Sequence, residues 1–479
     1  MQSFQQTSPG SFYRPVKTFD AGFPIGTEKG LTFIDESLRS QDPGIISKCL
    51  VWLCLSFQQL PRDFEDTETG LPLCSQELIT RYLVKVDTFY LASSKPVCSI
   101  DFVEALILQH ELFTFMGRPS KAWKCIRAGI ENAMLLGLHR PGRSALERGV
   151  WDALWIRDRQ LSLFLGLPYA VPEHLTLKAA EDKYSSPEKE VFRKIATISG
   201  HIIDRDQSRQ DAQYSTTSRI DKEMAELKAM MPDHWGTQSD FESAFSLAQV
   251  FVHTNVRLLY YTINQMLHLP YAQSATQNEK NERDRAIVLE SAEGAIQAYQ
   301  DMRALDVRPY GPPSCEFFDF LAFSAAAILA IDLASQETSR PAEEEQRLWN
   351  LITVSAYTMN KVGEVLDSTV GDQSAEVLEN FQAACSGTFT GLEPYEAIIP
   401  YFGRIKISRF TEKKQYYTRQ NQQSETEKNV VELESNVFSF RLPNEYVTER
   451  ELAEDWGEGA NVDLEYDWKR VYEFLASSH

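Results

Sequence analysis

The feature that most constrains the fold is a long apolar stripe with helical spacing near the middle of the chain. Successive apolar residues lie three or four positions apart, and they are Phe241, Phe245, Ala248, Val252, Val256, Leu259, Ile263 and Met266. Because an α-helix has 3.6 residues per turn, these side chains share one face, which must be buried against other helices. Similar patterns recur over most of the chain, and we assign no segment to a β-strand. The sequence therefore predicts an all-α fold, a large multi-helix bundle.

Changes in composition divide the 479 residues into three predicted parts. Residues 1–30 are rich in Ser, Gln, Gly and Pro without periodicity, which predicts a loosely ordered N-terminal arm. Residues 31–405 carry the helical patterns and form one predicted helical domain. Residues 406–479 begin with a mildly basic stretch, interpreted as a solvated helical face, and end with an acidic one. We expect this tail to be partly disordered.

Charge and cysteine content limit the partners of the chain. The formal net charge is -20, so a phosphate backbone would be repelled, and we expect contact with DNA to be indirect. The seven cysteines are widely spaced, which is typical of a reduced intracellular compartment. The longest apolar run, residues 320–333, is too short for a membrane span and contains Asp332. It predicts a buried core helix, and we expect no membrane partner.

A search for catalytic motifs favours a protein that is not an enzyme. The sequence has no G-x-S-x-G elbow, no H-E-x-x-H pair, no P-loop and no complete G-x-G-x-x-G loop. One alternative is an all-α enzyme of the isoprenoid-binding type, which needs clustered aspartates for a divalent cation. The nearest set is Asp204, Asp206 and Asp211, but Arg205 and Arg209 lie among them, and a salt-bridged exposed face is the stronger interpretation.

A second carboxylate pair, Asp152 and Asp158, lies within an otherwise apolar helix. Because an uncompensated buried charge is costly, each carboxylate needs a basic partner. The adjacent arginines are Arg157 and Arg159, and Arg127 or Arg140 could approach from the preceding helix. A structural ion pair is the preferred interpretation, and a catalytic acid is the alternative.

The segment from Trp123 to Pro172 contains the most specific pattern in the chain. A helix with small residues ends at the letters GLHR, and a second helix begins at Ser144 and Glu147, which have the spacing of a capping box. The second helix carries Trp151 and an Asp-Arg pair, and a Gly-x-Pro turn follows it. The pattern consists of Gly129, Ala133, Gly137, Leu138, His139, Arg140, Arg148, Val150, Trp151, Asp158, Arg159, Ser162, Gly166 and Pro168.

This ordered set resembles the middle homology region of fungal zinc-cluster transcription factors, with the signature in residues 120–172. Three positions depart from the family pattern: Gly149 interrupts the basic stretch, Asp152 stands where a second Trp is common, and Leu167 replaces an Arg. The resemblance implies an all-helical regulatory domain, a nuclear location and a role in RNA polymerase II transcription, often inhibitory or effector-sensing. We expect Trp151 to pack against the narrow surface of Gly129, Ala133 and Gly137.

Members of that family usually carry a cluster of six cysteines that holds zinc, and this chain has no C-x2-C pair that could begin one. We therefore expect no zinc cofactor and no DNA-binding module here. The chain is either a DNA-binding-deficient relative or the product of a shortened gene model, and the sequence leaves both open.

The C-terminal end combines acidic residues with aromatic ones. The stretch from Glu451 to Asp467 holds seven acidic and no basic residues. The candidate activation residues are Trp456, Leu464 and Tyr466 within this stretch and Trp468 directly after it. A terminal helix that docks its aromatic side chains on the core is the alternative.

The leading hypothesis is a regulatory domain that acts through the transcription machinery, co-regulators or a small effector. A helical scaffold, without a ligand-sized pocket, is a further alternative to the all-α enzyme.

Overall fold

The structure is a computed structural model of the chain. It describes residues 27–60, 73–92, 99–175, 186–208, 214–237, 240, 247–272, 279–304, 315–335, 340–366, 368–391, 395–399, 403–410 and 428–433. These residues form 13 α-helices followed by a small antiparallel sheet. The predicted all-α, multi-helix fold is thus confirmed, and the sheet is an addition to it.

Six of these helices precede residue 176. They are α1 (Thr27–Arg39), α2 (Pro43–Gln58), α3 (Ser75–Ala92), α4 (Ile100–Phe115), α5 (Pro119–Leu135) and α6 (Ala145–Phe164). The other seven are α7 (Pro187–Asp206), α8 (Tyr214–Met230), α9 (Leu247–Ala272), α10 (Glu279–Arg303), α11 (Glu316–Ser335), α12 (Ala342–Leu366) and α13 (Thr369–Cys385).

The helix starts follow local capping chemistry. The hydroxyl of Ser186 accepts a hydrogen bond from the backbone N–H of Lys189, with Pro187 at the first helical position, as predicted. At α6, the Ser144 hydroxyl accepts from the Glu147 N–H, and the Glu147 carboxylate accepts from the Ser144 N–H. The predicted capping box is therefore confirmed.

Helices α5 and α6 pack against each other, and Trp151 of α6 is fully buried between them and their neighbours. Its indole N–H donates to the carbonyl of Leu175 at 3.2 Å. The prediction that Trp151 packs against the surface of Gly129, Ala133 and Gly137 was partly wrong. A Cβ on Gly129 would meet Leu154 at 2.7 Å, so Leu154 occupies that close approach.

Gly137 does not belong to a helix face at all, which corrects the predicted narrow surface. Helix α5 ends at Leu135, and Gly137 has φ +71°. Its N–H donates to Met134 O, and the N–H of Leu138 donates to Ala133 O. This is a Schellman cap, in which glycine is favoured because a Cβ would be strained at positive φ.

The second half of the domain is built around α11. This helix is long and apolar enough to cross a membrane by length and composition, but 94% of its apolar window is buried inside the protein. Helices α10, α12 and α13 and, from the first half, α4 contact it. The prediction of a buried core helix at residues 320–333 is therefore confirmed.

The sheet contains β1 (Tyr395–Ile399), β2 (Gly403–Phe410) and β3 (Lys428–Leu433) in the order β1-β2-β3, and both pairs are antiparallel. It contacts α13 through β1 and β2 and α11 through β3. The predicted helical face at residues 404–410 was therefore wrong. The letters RIKIS, residues 404–408, alternate between polar and apolar residues, which is the period of a strand.

Two predicted parts fall largely outside the described residues. They are the N-terminal arm, of which only residues 27–30 are described and are helical, and the candidate activation residues Trp456, Leu464, Tyr466 and Trp468. The three-part domain division remains a prediction.

Candidate functional site

The signature segment forms a buried polar centre around Asp158, whose side chain is fully buried on α6. One carboxylate oxygen lies 3.3 Å from Nε of Arg127 on α5, so Arg127 is the partner among the two proposed for the preceding helix. The other oxygen accepts from the backbone N–H of Ala170 at 2.7 Å and of Val171 at 3.4 Å. Burial raises the pKa of Asp158, and the charge of Arg127 partly offsets this rise.

Arg159, the second residue of the Asp-Arg pair, contacts residues 169 and 171 of the turn after α6. It donates to the carbonyl of Val171 at 3.2 Å, and its guanidinium lies 4.0 Å from the ring centre of Tyr169. It also lies against α7, because a Cβ on Gly200 would come within 1.8 Å of its Nη1. Gly200 is thus the reason that the guanidinium fits between the two elements.

The turn that these groups hold is set up by the end of α6. Gly166 has φ +66°, its N–H donates to Leu163 O, and the N–H of Leu167 donates to Ser162 O. This is a second Schellman cap. The carbonyl of Pro168 then accepts from Arg127 Nη2. We call the polar centre formed by Arg127, Asp158, Arg159, Gly166, Pro168, Tyr169 and Val171 the Asp158 cluster.

The other signature residues lie around the α5–α6 corner. The His139 ring centre is 5.9 Å from that of Trp151, and Arg148 donates to the carbonyl of Arg143 at 2.5 Å. Arg140 is exposed. Sequence reasoning missed Arg143, which donates to Gly137 O at 2.9 Å and to Leu136 O at 3.1 Å and pairs with Glu147. It caps the last carbonyls of α5, a contact typical of basic residues at helix ends.

The remaining charges of α6 are paired with neighbouring helices. Asp152 forms ion pairs with Lys189, at 3.4 Å, and with Arg193, both on α7. Arg157 pairs with Glu111 of α4, with Nε 2.6 Å from the carboxylate oxygen. These contacts agree with the structural interpretation of the two carboxylates, since every one of their partners is basic or a backbone N–H.

A partly open cavity of about 150 Å³ lies on the neighbouring face of α6. Its walls come from α4, α6, α7, α9 and α11, so both halves of the helical domain contribute. Six phenylalanines form much of the wall: Phe115, Phe164, Phe192, Phe251, Phe317 and Phe318. Two pairs are in ring contact, with centroids 5.1 Å apart for Phe164 and Phe317 and 6.0 Å apart for Phe251 and Phe318. A flat aromatic group would find edge and face contacts here.

Three polar atoms interrupt this aromatic wall. They are Oγ1 of Thr114, Nε2 of Gln160 and Oδ1 of Asn255, each on a different helix. All three are buried, and among the described residues none of them has a hydrogen-bond partner. An unsatisfied buried polar atom costs about 1–3 kcal/mol, so these groups are suited to receive a polar ligand.

The cavity has no unbalanced charge among its described lining residues. Its only two charged side chains, Glu111 and Arg157, pair with each other. His110 is buried, and burial lowers its pKa to about 4, so the ring is neutral at pH 7. Its Nδ1 lies 3.3 Å from the carbonyl of Ala122. A neutral molecule is therefore better suited to the cavity than an ion.

The aspartates of the enzyme alternative do not converge. Asp204 accepts from the hydroxyl of Tyr169 at 2.9 Å, and Asp206 pairs with Arg205 at 2.7 Å. Burial raises the pKa of Asp206. Asp211 lies outside the described residues. Within the described part of the chain, no group of three His, Cys, Asp or Glu side chains is placed to hold a metal ion.

The curated proteins that the chain is similar to are named as fungal regulators. The dehydrocurvularin biosynthesis regulator of Aspergillus terreus is 25% identical over 77% of this chain and 56% of its own length. The regulator of the same name from Alternaria cinerariae is 24% identical over 77% of this chain and 53% of its own. The transcription factor sdnS of Sordaria araneosa is 20% identical over 74% of this chain and 48% of its own.

The chain spans about half the length of the curated relatives it matches. No family model and no solved structure matches it. The similarity is therefore to transcription regulators as a group, at 20–25% identity, and it supports a role in transcription regulation.

Proposed function

We propose that this chain is the helical regulatory region of a fungal transcription factor. It acts in the nucleus on genes transcribed by RNA polymerase II, through protein partners or a small effector. The observation that carries the proposal is its similarity, over about three quarters of its length, to proteins named as transcription factors or biosynthesis regulators. The genes it controls would then encode a biosynthetic route, as the names of two relatives indicate for their own targets.

The signature segment supports this proposal independently of the names. The positions singled out by resemblance, Asp158, Arg159, Gly166 and Pro168, meet in one cluster, centred on the buried side chains of Asp158 and Arg159, that fixes the turn after α6. A signature whose members hold one another is expected for a structural module of a family.

The net charge of -20 favours action on DNA through a partner rather than by these residues alone. The enzyme alternative has less support, because Asp204 and Asp206 have separate partners. A pure scaffold would need no cavity, and the cavity of about 150 Å³ on α6, which has room for roughly one aromatic ring, favours the binding of a small effector instead.

The test is a reporter assay with the full chain fused to a heterologous DNA-binding domain. The proposal requires activation or repression relative to the DNA-binding domain alone. Trp456→Ala and Trp468→Ala test the acidic segment, and Tyr357→Ala, at an exposed aromatic residue on α12, is the matched control. Equal reporter output from the fusion and from the DNA-binding domain alone, with the fusion present in the nucleus, would contradict the proposal.

A further inference from the structure

We infer that the cavity between α4, α6, α7, α9 and α11 is a binding site for a small uncharged phenol, that is, one aromatic ring with one or two hydroxyl groups. The inference deepens the proposed function, on which it rests for its regulatory consequence. The binding itself is a property of the folded chain and can be measured without any transcription assay.

The size of the ligand follows from the volume. The cavity holds about 150 Å³. An engineered protein cavity of that volume lined by apolar side chains binds benzene, so the space suits roughly one aromatic ring. Because the cavity is partly open, a substituent can extend from the ring towards solvent.

The aromatic character follows from the wall. Phe164 and Phe317 meet edge to face at an interplanar angle of 76°, and four further phenylalanines line the same space. Aromatic rings prefer edge-to-face or offset contacts with one another, and a flat ring can make several of them here at once.

The hydroxyl group follows from the three unsatisfied polar atoms. A phenolic hydroxyl both donates and accepts, so it can donate to Oδ1 of Asn255 and accept from Nε2 of Gln160. Thr114 Oγ1 can donate or accept and is suited to a second hydroxyl. A purely apolar molecule would leave all three atoms unsatisfied.

The lining of the cavity also indicates that the ligand is uncharged. Glu111 and Arg157 neutralise each other, and His110 is neutral, so the described lining offers no free charge to a carboxylate or an amine. An ionic ligand would lose its hydration without gaining a counter-ion.

The position of the cavity explains how such a ligand would act on the protein. Thr114 and Gln160 belong to the first six helices, whereas Asn255 belongs to α9 in the second half. One hydroxyl bound by Gln160 and Asn255 therefore links the two halves. Its binding favours whichever conformation holds these helices together.

The test is calorimetric titration of the full chain with phenol and 1,3-dihydroxybenzene as probes. Benzene, benzoate and benzylamine are the comparison molecules. We expect both phenols to bind on the order of tenfold more tightly than benzene. The reason is that a phenolic hydroxyl can form hydrogen bonds with Gln160 and Asn255, and benzene cannot. We expect benzoate and benzylamine to bind more weakly than benzene.

Variants identify the site. Asn255→Leu and Gln160→Leu should each weaken phenol binding on the order of tenfold while they retain binding of benzene. Asn350→Leu, at an exposed amide on α12 that does not line the cavity, is the matched control and should change neither. Val252→Phe fills the cavity and should abolish both. If that variant fails to fold, the two leucine variants decide.

The inference is overturned if phenol binds no more tightly than benzene, if no probe binds, or if the leucine variants bind phenol as the original chain does. If water permanently occupied the cavity, no probe would bind. If phenol binds as expected but leaves the reporter fusion unchanged, the site stands and effector control through it is refuted.

Discussion

The Asp158 cluster allows a prediction that separates hydrogen bonding from charge. Asp158→Ala removes the acceptor of two backbone N–H groups, those of Ala170 and Val171. A buried N–H left without a partner costs about 1–3 kcal/mol, and the longer of the two bonds is the weaker. We therefore expect the free energy of unfolding to fall by about 2–4 kcal/mol.

Asp158→Asn should be much less harmful. Asparagine keeps one oxygen for the N–H of Ala170, and it removes a buried charge whose pKa is raised by burial even beside Arg127. What it loses is the attraction to Arg127, whose side chain is 24% exposed and remains partly solvated. The expected loss is about 1 kcal/mol.

Urea unfolding followed by circular dichroism and tryptophan fluorescence measures both values. The matched control is Asp35, an exposed carboxylate paired with exposed Arg39 on α1. Substitution there by Ala or Asn should change the free energy of unfolding by less than about 0.5 kcal/mol. If Asp158→Asn were as destabilising as Asp158→Ala, the charge and not the backbone hydrogen bonds would hold the turn, and the reasoning would be refuted.

Three further predictions concern other buried contacts. His110 is neutral in the folded chain, with a pKa lowered from 6.5 to about 4, so stability falls as the unfolded chain takes up a proton below pH 6.5. The fall reaches about 3 kcal/mol near pH 4 at ~1.4 kcal/mol per pH unit, and urea midpoints for His110→Gln should lack this part of the acid sensitivity. Gly200→Ala forces Arg159 from its place and should cost about 1–3 kcal/mol in urea unfolding, whereas Gly30→Ala, whose Cβ meets nothing closer than 3.6 Å, should not destabilise. Trp151→Phe removes the hydrogen bond from the indole N–H to the carbonyl of Leu175 and leaves a void. The free energy of unfolding, measured by thermal unfolding, should fall by about 2 kcal/mol. An unchanged midpoint would contradict the burial of Trp151.

The features that the sequence predicted well are those in which the determining residues are neighbours in the chain. The capping box at Ser144 and Glu147 and the start of α7 at Ser186 depend on contacts within four residues. The buried core helix around Phe320 follows from local composition alone. Such features need no knowledge of the tertiary fold.

The errors arose where one local pattern has two physical explanations. Gly137 lies four residues after Ala133, which suits a small helix face, but its place after the last turn suits a C-cap equally well. The alternation at residues 404–408 was hidden by its basic residues; β2 forms a hairpin with the neighbouring β1, and its second partner, β3, lies further along the chain. Strand pairing of this kind depends on non-local contacts.

The cavity could not have been predicted, because its polar residues, Thr114, Gln160 and Asn255, come from three helices far apart in sequence. Nor could the sequence choose between Arg127 and Arg140 as the partner of Asp158. That choice depends on the rotation of α5, which is set by the burial of residues such as Ile126 and Ile130.

Helix α6 relates these observations to one another. Asp158 and Ser162, one turn apart, hold the turn at residues 166–171, while Arg157, Gln160, Leu161 and Phe164 line the cavity. The cavity residues have the spacing of a single helix face, and Asp158 lies about 100° around the helix from Arg157. A shift of α6 that improves contact with a ligand would therefore also move the carboxylate that anchors Ala170 and Val171.

Since Arg159 on the same helix packs against Gly200 of α7, this shift would reach the second half of the domain by two routes, through Asn255 and through Arg159. The signature is therefore expected to matter for ligand response as well as for stability, because its residues determine how rigidly α6 is held.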